Sequence, residues 1–347
     1  MRRASIIEVI AKRIANEESE DAMLISAQAR NIHKHSLVWD AHACFRLDPT
    51  ADLSALKRYR DSGVDFVSLN IGMDLNSFEN TMQVLARYRA YISSHPDQYV
   101  LALTVDSIRK AKESGTLAIA FDLEGSDPLL GNLNMISFYY DLGVRQMLLA
   151  YNKDNRACGG CMEGEVGLTD FGRDVIREMN RVGMVVDASH MGYRATMETF
   201  EVSTAPVIFS HSNPSGLRAH ARNISDDQIK ACAKTGGVVG INGIGDFLGG
   251  TISELIVQNI EYVMDLIGPE HVGIGLDYVV DKQELIEYVE GHPDIFPPEK
   301  IKNVLSFVEP EQFPEFTELL LQKGYSERII SGILGENFLR VAEQVWK

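Results

Sequence analysis

The sequence Val185-Val-Asp-Ala-Ser-His190 is a short apolar run that ends on a residue able to bind a metal or move a proton. Four further runs have the same form and end on or near a histidine or an acidic residue: 38–42, 119–124, 206–211 and 273–277. Such apolar runs are typical of parallel strands buried on both faces. In a closed barrel of parallel strands, the carboxyl ends open on the face that carries the active site. The repeated pattern therefore predicts a metal centre at the mouth of a barrel.

Strand-like and helix-like segments alternate along the whole chain. Strands are predicted over residues 36–42, 65–71, 99–105, 117–124, 145–151, 184–190, 206–211, 237–242 and 271–277. Helices are predicted over residues 52–62, 76–94, 106–114, 134–143, 170–182, 192–202, 225–235, 252–267, 313–323 and 326–346. Repeated strand–helix units imply parallel strands joined by right-handed crossovers. We therefore predict an α/β fold, a (β/α)8 TIM-like barrel in a single domain over residues 1–347, with extra N- and C-terminal helices.

Nine predicted strands are one more than such a barrel needs, so either 99–105 or 237–242 is peripheral. A doubly wound open sheet is the alternative, but no Gly-x-Gly-x-x-Gly turn follows the first strand, and polar strand ends recur throughout. Residues 1–35 are interpreted as an N-terminal helical extension. Residues 278–312 are the least regular part of the sequence and directly follow the last strand, so we predict a lid loop over the barrel mouth.

The bulk composition narrows the classes of function. The 347 residues include 33 basic and 49 acidic side chains, a formal charge of −16, which argues against a nucleic-acid or anionic-membrane partner. No apolar run reaches the length of a membrane span, and the charged N-terminus lacks the apolar core of a secretory signal. Four cysteines in a chain of this length do not make a disulfide framework. We expect a cytoplasmic protein that acts on a small molecule. The sequence is compatible with either a monomer or a homodimer.

Five residues at the strand ends form the candidate site. One histidine after an apolar run is usually a hydrogen-bonded core residue, but His42, His190 and His211 share this context. Together they favour a metal centre, because neutral imidazole is a preferred zinc ligand and carboxylates complete such sites. Glu124 closes a buried strand, where a carboxylate needs a cation or several donors to stay charged. Asp277 follows two glycines that permit close backbone approach, and it is a candidate general acid or base.

Two further aspartates precede these histidines. Asp40 lies on the same strand face as His42, so it is a candidate to support the metal ligands from behind. Asp187 points away from His190 and is interpreted as structural.

The cysteines divide into two groups. Cys44 shares the strand face of His42, and a thiolate binds zinc well. The segment Cys158-Gly-Gly-Cys161 is a redox pair, half of a zinc site or a loop feature. Because no second pair of this kind exists in the sequence, we favour the loop feature.

Several longer segments resemble the renal, or membrane, dipeptidases, which are M19-type metallopeptidases with amidohydrolase-like barrels. The most specific segment is Gly167-Leu-Thr-Asp-Phe-Gly-Arg-Asp-Val-Ile-Arg-Glu-Met-Asn-Arg-Val-Gly-Met-Val-Val-Asp-Ala-Ser-His190. Other similar segments are 205–211, 219–223, 236–242, 271–277 and 335–341. The resemblance covers most of the chain and is more specific for the superfamily than for a substrate.

The resemblance implies two zinc ions at the barrel mouth. In that site Glu124 bridges the metals, His42 binds one zinc, and His190 and His211 bind the other. Arg222 matches the arginine that pairs with the terminal carboxylate of the substrate, a task for which a planar guanidinium is suited. In the same comparison, the acid/base carboxylate falls on Asp277.

This sequence departs from the family pattern at two positions. The family's first motif is His-x-Asp, whereas this chain has His42-Ala43-Cys44, so the second ligand of that zinc is a cysteine or is missing. The family also has a histidine where this chain has Tyr151. A phenol can donate a hydrogen bond to a developing oxyanion, but it does not exchange a proton near neutral pH as imidazole does. Both changes suggest a divergent branch, with altered metal content or another amide substrate.

These observations predict a zinc-dependent hydrolase of small amides, in the first place a dipeptidase, with one or two zinc ions per chain. A metal-bound hydroxide attacks the amide carbon, and the metal and Tyr151 polarise the carbonyl oxygen. Asp277 carries the proton to the leaving amine, and Arg222 holds the carboxylate. Two alternatives stay open: a mononuclear amidohydrolase acting on another small amide or N-acyl amino acid, and a non-catalytic barrel that retains a metal.

Overall fold

The computed structural model describes residues 23–163, 165–291 and 306–347. Of the predicted N-terminal extension, residues 1–22 lie outside this range, and the described part contains the helix Ala27–His35. This helix begins where the Ser26 hydroxyl accepts a hydrogen bond from the backbone N–H of Ala29, a common N-cap. The backbone N–H of Ser26 also donates to Glu318 at 2.8 Å, which ties the start of the helix to the C-terminal part of the chain.

Ten strands follow in the described part of the chain. They are β1 (Trp39–Cys44), β2 (Phe66–Met73), β3 (Tyr99–Leu101), β4 (Leu117–Glu124), β5 (Val144–Leu148), β6 (Val185–Asp187), β7 (Val207–Ile208), β8 (Val239–Ile241), β9 (Val272–Ile274) and β10 (Tyr278–Val279). Several are shorter than predicted because their last residues turn out of the sheet to form the site. The residues of all strands up to β9 are buried or nearly so, as expected for strands covered on both faces.

The strands form a ring of parallel neighbours. The main sheet has the order β10-β1-β2-β4-β5-β6-β7, and β8 pairs with β9. A parallel bridge between Phe209 and Val239 joins β7 to β8. After β9, the backbone N–H of Asp277 donates to the carbonyl of His42 at 3.0 Å, which returns the ring to β1. The predicted TIM-like α/β barrel is therefore confirmed. Its eight strands are β1, β2 and β4 to β9. The short strand β10 follows β9 in the chain and pairs with β1.

The extra strand is β3. It pairs only with the first residues of β4, where Tyr99 lies opposite Leu117. The later residues of the same edge of β4 pair with β5. Its position at the amino-terminal end of β4 places it away from the barrel mouth. Of the two candidates for a peripheral strand, the structure therefore selects the first, and the segment predicted at 237–242 belongs to the barrel.

Helices cover the outside of the ring. In the described part they are Ala27–His35, Leu56–Asp61, Phe78–Ser94, Val105–Ser114, Asn134–Asp141, Asp170–Val182, Tyr193–Val202, Asp226–Lys234, Gly245–Leu248, Ser253–Ile267, Lys282–Gly291, Phe313–Gln322, Glu327–Ser331 and Asn337–Val345. The single C-terminal helix predicted over 326–346 was wrong in one respect, because a π-helical turn, Gly332–Glu336, interrupts it. At this turn Gly335 lies so close to the carbonyl of Leu37 that a side chain would not fit.

The predicted lid segment is more regular than the sequence suggested. Its described part contains β10 and the helix Lys282–Gly291, while residues 292–305 lie outside the described range. A lid motion stays a prediction. Within residues 23–163, 165–291 and 306–347, no helix has the length and apolar content needed to cross a lipid bilayer.

The barrel is narrow where β7 faces β9. A Cβ built on Gly275 would lie 1.9 Å from the backbone carbonyl oxygen of Ser210. Only a residue without a side chain permits this approach, which confirms the sequence-based expectation for the glycines before Asp277.

We expect Gly275→Ala to destabilise the protein by about 1–3 kcal/mol, because the backbone of β7 or β9 must move to admit a methyl group. Urea unfolding measures the change. Gly291→Ala is the matched control, since among the described residues no atom outside its own helix and its chain neighbours lies within 4 Å of the added Cβ. Equal stability of the two variants would contradict the close approach.

Candidate metal centre

Five strand ends bring their side chains to one place at the barrel mouth. His42 lies in β1 and Glu124 ends β4, whereas His190, His211 and Asp277 follow β6, β7 and β9. All five are at most 6% exposed. The structure thus brings together the five residues on which the sequence-based hypothesis rests.

Glu124 lies at the centre of the group. Its Oε1 atom is 3.4 Å from Nε2 of His42, 3.1 Å from Nε2 of His190 and 3.5 Å from Nε2 of His211. The other oxygen, Oε2, accepts a hydrogen bond from the side-chain amide of Asn70. One carboxylate oxygen is therefore surrounded by three imidazole nitrogens.

The rings of His42 and His190 are held by polar partners behind them. Nδ1 of His190 lies 2.8 Å from Oδ1 of Asn152, and Nδ1 of His42 lies 3.2 Å from Oδ1 of Asp122. Because both partners are acceptors, these nitrogens carry the protons in the tautomers that best fit the contacts. In the neutral form of each ring, Nε2 presents a lone pair toward Glu124, the arrangement typical of metal-binding histidines.

The remaining histidine completes the pattern. Nδ1 of His211 lies 2.7 Å from the hydroxyl of Ser210, and its Nε2 lies 2.9 Å from Nε2 of His190. Burial, and then the nearby positive charges of Arg222 and His42, lower the pKa of His190 well below its usual range; burial and the same charges do so for His211. Both imidazoles are therefore neutral, as metal ligands must be.

The pKa values of Glu124 and His42 are raised, in contrast to those of His190 and His211. Burial raises the pKa of Glu124 to about 8, although the charge of His42 opposes the shift. For His42, burial lowers the pKa, but Asp122, Cys44 and Glu124 outweigh it and hold the pKa well above its usual range. A cation among these groups would keep the carboxylate ionised and occupy the imidazole lone pairs.

The donor sets fit divalent metal ions. Three groups have ligand atoms that all lie within 4.8 Å of one another: His42 with Cys44 and Glu124, His42 with His211 and Asp277, and Glu124 with His190 and His211. Nitrogen, thiolate and carboxylate donors in such sets are those of catalytic zinc sites. Glu124 belongs to two of the groups, so its position suits a ligand shared between two ions.

Cys44 lies where the sequence placed it. Its Sγ atom is 3.3 Å from Nε2 of His42 and 3.7 Å from Oδ1 of Asp277. Burial raises the pKa of this thiol strongly, while His42 lowers it. A buried thiol of this kind becomes a thiolate when a metal replaces its proton.

Asp277 is held from one side. Its Oδ2 accepts a hydrogen bond from the side-chain amide of Asn242 at 2.9 Å, and its Oδ1 faces Nε2 of His42 at 3.7 Å. Burial raises the pKa of Asp277, whereas His42 and Arg222 lower it. Burial therefore favours the protonated carboxyl, whereas the two positive charges favour the carboxylate.

Backbone strain concentrates at the same place. Among the described residues, four other than glycine have positive φ, and three of them are Asn152 at 62°, His190 at 66° and Asp277 at 55°. Left-handed backbone is costly for side chains other than Asn or Asp and is often found at functional sites. These turns point the side chains of His190 and Asp277 toward the barrel axis.

A cavity of about 600 Å³ opens above the group. Arg222 lines it and is only 3% exposed; one Nη2–H donates to the carbonyl of His211 at 3.4 Å, and its guanidinium lies 5.5 Å from the ring centroid of Phe247. Tyr151 lines it as well, and its ring stacks on His190 with 4.5 Å between centroids. Both sequence-predicted substrate residues thus face the space beside the candidate ligands.

Sequence reasoning missed the supporting residues and misassigned one. Asp40 does not touch the imidazole of His42; its Oδ1 accepts backbone hydrogen bonds from Leu276 and His42 and so ties β9 to β1. The partner of the His42 ring is Asp122, two residues before Glu124. This spacing puts Asp122 and Glu124 on the same strand face, which was a usable signal. Asn152, which follows Tyr151, had no comparable signal.

Asp187 and the Cys158–Cys161 segment are structural in the described contacts. Oδ1 of Asp187 accepts backbone hydrogen bonds from Ser189 and Ser210. Both cysteines are free, and within the described ranges neither belongs to a group of three metal-ligand side chains. The backbone N–H of Cys161 donates to the carbonyl of His190, so the segment is a loop that supports the site.

Comparison with known proteins gives the family. The model of the membrane dipeptidase family, peptidase family M19, matches residues 26–296. The chain belongs to this family. Its expected metallopeptidase fold and its class, a hydrolase of peptide bonds, are thereby confirmed.

Individual relatives agree with this assignment. The chain is 28% identical over 338 residues to dipeptidase tcpJ of Claviceps purpurea, covering 90% of this chain and 75% of that protein. It is 32% identical over 255 residues to an uncharacterized dipeptidase of Schizosaccharomyces pombe, covering 70% of this chain and 55% of that protein. A solved amidohydrolase from Pseudomonas aeruginosa has a TM-score of 0.84 and 29% identity, over 92% of this chain and 99% of that one.

We expect Cys44→Ala to lower the metal content or the metal affinity of the purified protein, because it removes a donor 3.3 Å from His42. Elemental analysis after dialysis against a weak chelator measures the change. Cys232→Ala is the control, since that buried thiol donates to the carbonyl of Val207 and takes no part in the group. Unchanged metal content in Cys44→Ala would show that Cys44 is not a ligand.

Proposed function

We propose that this protein is a zinc-dependent dipeptidase. The observation that carries the proposal is the convergence of three imidazole nitrogens on Oε1 of Glu124, all within 3.5 Å. When bound, zinc polarises an amide carbonyl and lowers the pKa of a bound water molecule to about 7. Glu124, His42, Cys44, His190 and His211 are the side chains that hold the metal.

Arg222 binds the carboxylate end of the substrate. Among the described residues, its buried Nε has no hydrogen-bond partner. A buried guanidinium with unused donors favours an anion, and a carboxylate fits its planar fork. The guanidinium also lies next to the metal ligands, because it donates to the carbonyl of His211. An amide bond next to a terminal carboxylate is therefore the bond that this site positions for hydrolysis.

Asp277 moves the proton during the reaction. Asn242 fixes Oδ2, so Oδ1 is the oxygen that faces the ligand group and accepts a proton there. Burial raises the pKa of Asp277, which favours its protonated form relative to an exposed aspartate. It then delivers the proton to the leaving amine.

Tyr151 stabilises the charge that develops on the carbonyl oxygen. Its stacking on His190 holds the ring beside the ligand group at the wall of the cavity. A phenol donates a hydrogen bond without carrying a net charge, so its contribution is smaller than that of a protonated imidazole.

A mononuclear amidohydrolase is the second candidate function. Cys44 stands where the family motif has an aspartate, and the solved relative at 29% identity is called an amidohydrolase. In this alternative Glu124, His190 and His211 hold one metal, and the substrate is an N-acyl amino acid or another small amide. We place the protein in the cytoplasm, because its four cysteines are all free. A homodimer stays a prediction.

We expect Tyr151→Phe to lower kcat on dipeptides by about tenfold to a thousandfold with little change in KM, because it removes one donor that acts in the transition state. Steady-state kinetics on a hydrolysed dipeptide measure both constants. The circular dichroism spectrum and the metal content serve as controls. A variant with the kcat of the natural protein would remove Tyr151 from the reaction.

The function itself is tested by screening dipeptides and N-acyl amino acids with the purified protein, before and after chelation and with zinc restored. We expect zinc-dependent cleavage of dipeptides, and Asp277→Asn should lower kcat/KM by about 10²–10⁴ while retaining the metal. Asp226→Asn, in a helix outside the site, is the control. Cleavage of N-acyl amino acids alone, with one metal per chain, would favour the amidohydrolase instead. An unchanged rate in Asp277→Asn would contradict its acid/base role.

A further inference from the structure

Glu284 places a carboxylate in the wall of the active-site cavity. It belongs to the helix Lys282–Gly291 and lines the same cavity as Cys44 and Arg222. Much of that lining is hydrophobic: Phe45, Leu47, Leu75, Val279, Leu285 and Phe307. A carboxylate in such hydrophobic surroundings is unfavourable unless a polar or charged group binds it.

The position of Glu284 is fixed relative to the metal ligands. The backbone N–H of Leu47 donates to its Oε1 at 3.1 Å. Leu47 follows Cys44 by three residues, so the two Cα atoms are at most about 11 Å apart. The Leu47 contact therefore holds the carboxylate in the cavity wall near Cys44, where a long side chain of a bound substrate can meet it.

No cation of the described residues neutralises this carboxylate directly. Arg46 pairs with Asp281 at 3.2 Å, and Lys282 lies 3.4 Å from Glu309. Burial raises the pKa of Glu284 to about 7; the Leu47 hydrogen bond and Arg46 oppose this shift, while Asp281 and Asp48 add to it. A positively charged group entering the cavity would favour the ionised form and gain a charge-assisted hydrogen bond.

Glu284 and Arg222 both line the cavity beside the ligand group. Arg222 donates to the carbonyl of His211, and Leu47, whose backbone N–H donates to Glu284, follows Cys44 by three residues. A dipeptide with its carboxylate on Arg222 and its amide at the ligand group therefore shares one cavity with the Glu284 carboxylate.

We propose that Glu284 selects dipeptides whose amino-terminal residue has a cationic side chain, such as lysine or arginine. This inference rests on the proposed dipeptidase function. The hydrophobic lining packs against the methylene groups of the side chain, and the carboxylate receives the charged end.

The test compares Lys-Ala with norleucine-Ala, which have the same number of side-chain carbons, the same α-ammonium and the same carboxylate, and differ only in the terminal ammonium group of lysine. We expect the natural protein to prefer Lys-Ala in kcat/KM by about tenfold to a hundredfold, as for one hydrogen bond to a charged group. Glu284→Gln should remove the preference mainly through KM for Lys-Ala, while norleucine-Ala changes less than about twofold. Glu287→Gln is the matched control, because Glu287 is exposed on the same helix and bonds to Gln283.

Equal rates for the two substrates, or a lysine preference that survives Glu284→Gln, would overturn the inference. If neither dipeptide is hydrolysed, the kinetic comparison is replaced by a binding comparison, so that the pocket is tested separately from the dipeptidase function. Phosphinate mimics of the two dipeptides are then titrated by calorimetry into the zinc-loaded protein. Tighter binding of the lysine mimic, lost in Glu284→Gln, supports the carboxylate pocket; equal Kd values exclude it.

Discussion

The site depends on one buried carboxylate, that of Glu124, on which three imidazole nitrogens converge. Glu124 is 2% exposed, and the acidic groups of Asp122 and Asp277 lie in the same pocket and raise its pKa further. Burying several carboxylates together is unfavourable unless cations accompany them. The neutral imidazoles of His190 and His211 turn lone pairs toward the same oxygen. A divalent metal satisfies the carboxylates and the imidazoles at once, and so explains why the barrel assembles them.

The barrel holds this group through contacts that lie behind the ligand side chains. Polar contacts behind the histidines set the orientation of their rings, and left-handed turns at His190 and Asp277 direct the side chains inward. The left-handed backbone at His190 costs free energy that the surrounding packing must offset. The narrow approach of Gly275 to β7 shows how closely the strand ends meet there. The geometry of the site is therefore a property of the fold and not of flexible loops.

The sequence predicted the ring of strands and the ligand group because both follow from one periodic signal, an apolar run that ends on a polar residue. It did not separate β3 from β8, since both are short apolar segments and only the pairing with β4 or β9 distinguishes them. The supporting side chains were harder still. Asn152 meets His190 across 38 positions of sequence, and such a contact has no local pattern. Asp40 was misassigned because a shared strand face does not show whether a carboxylate will bind the neighbouring imidazole or nearby backbone N–H groups.

The two departures from the family pattern, Cys44 and Tyr151, contact different histidines of the ligand group. We therefore expect them to affect different properties of the site. Cys44 stands beside His42 and belongs to one of the three donor groups, the one formed with His42 and Glu124. Tyr151 stacks on His190, at the group formed by Glu124, His190 and His211. That second group keeps three protein ligands, the number typical of a catalytic zinc site with an open position. The question of one metal or two is therefore confined to the Cys44 side, whereas the stabilisation of the carbonyl oxygen is set on the Tyr151 side. Substitution of Cys44 should consequently change the metal content, whereas substitution of Tyr151 should change the rate. Such a division is what two metal positions that share Glu124 require.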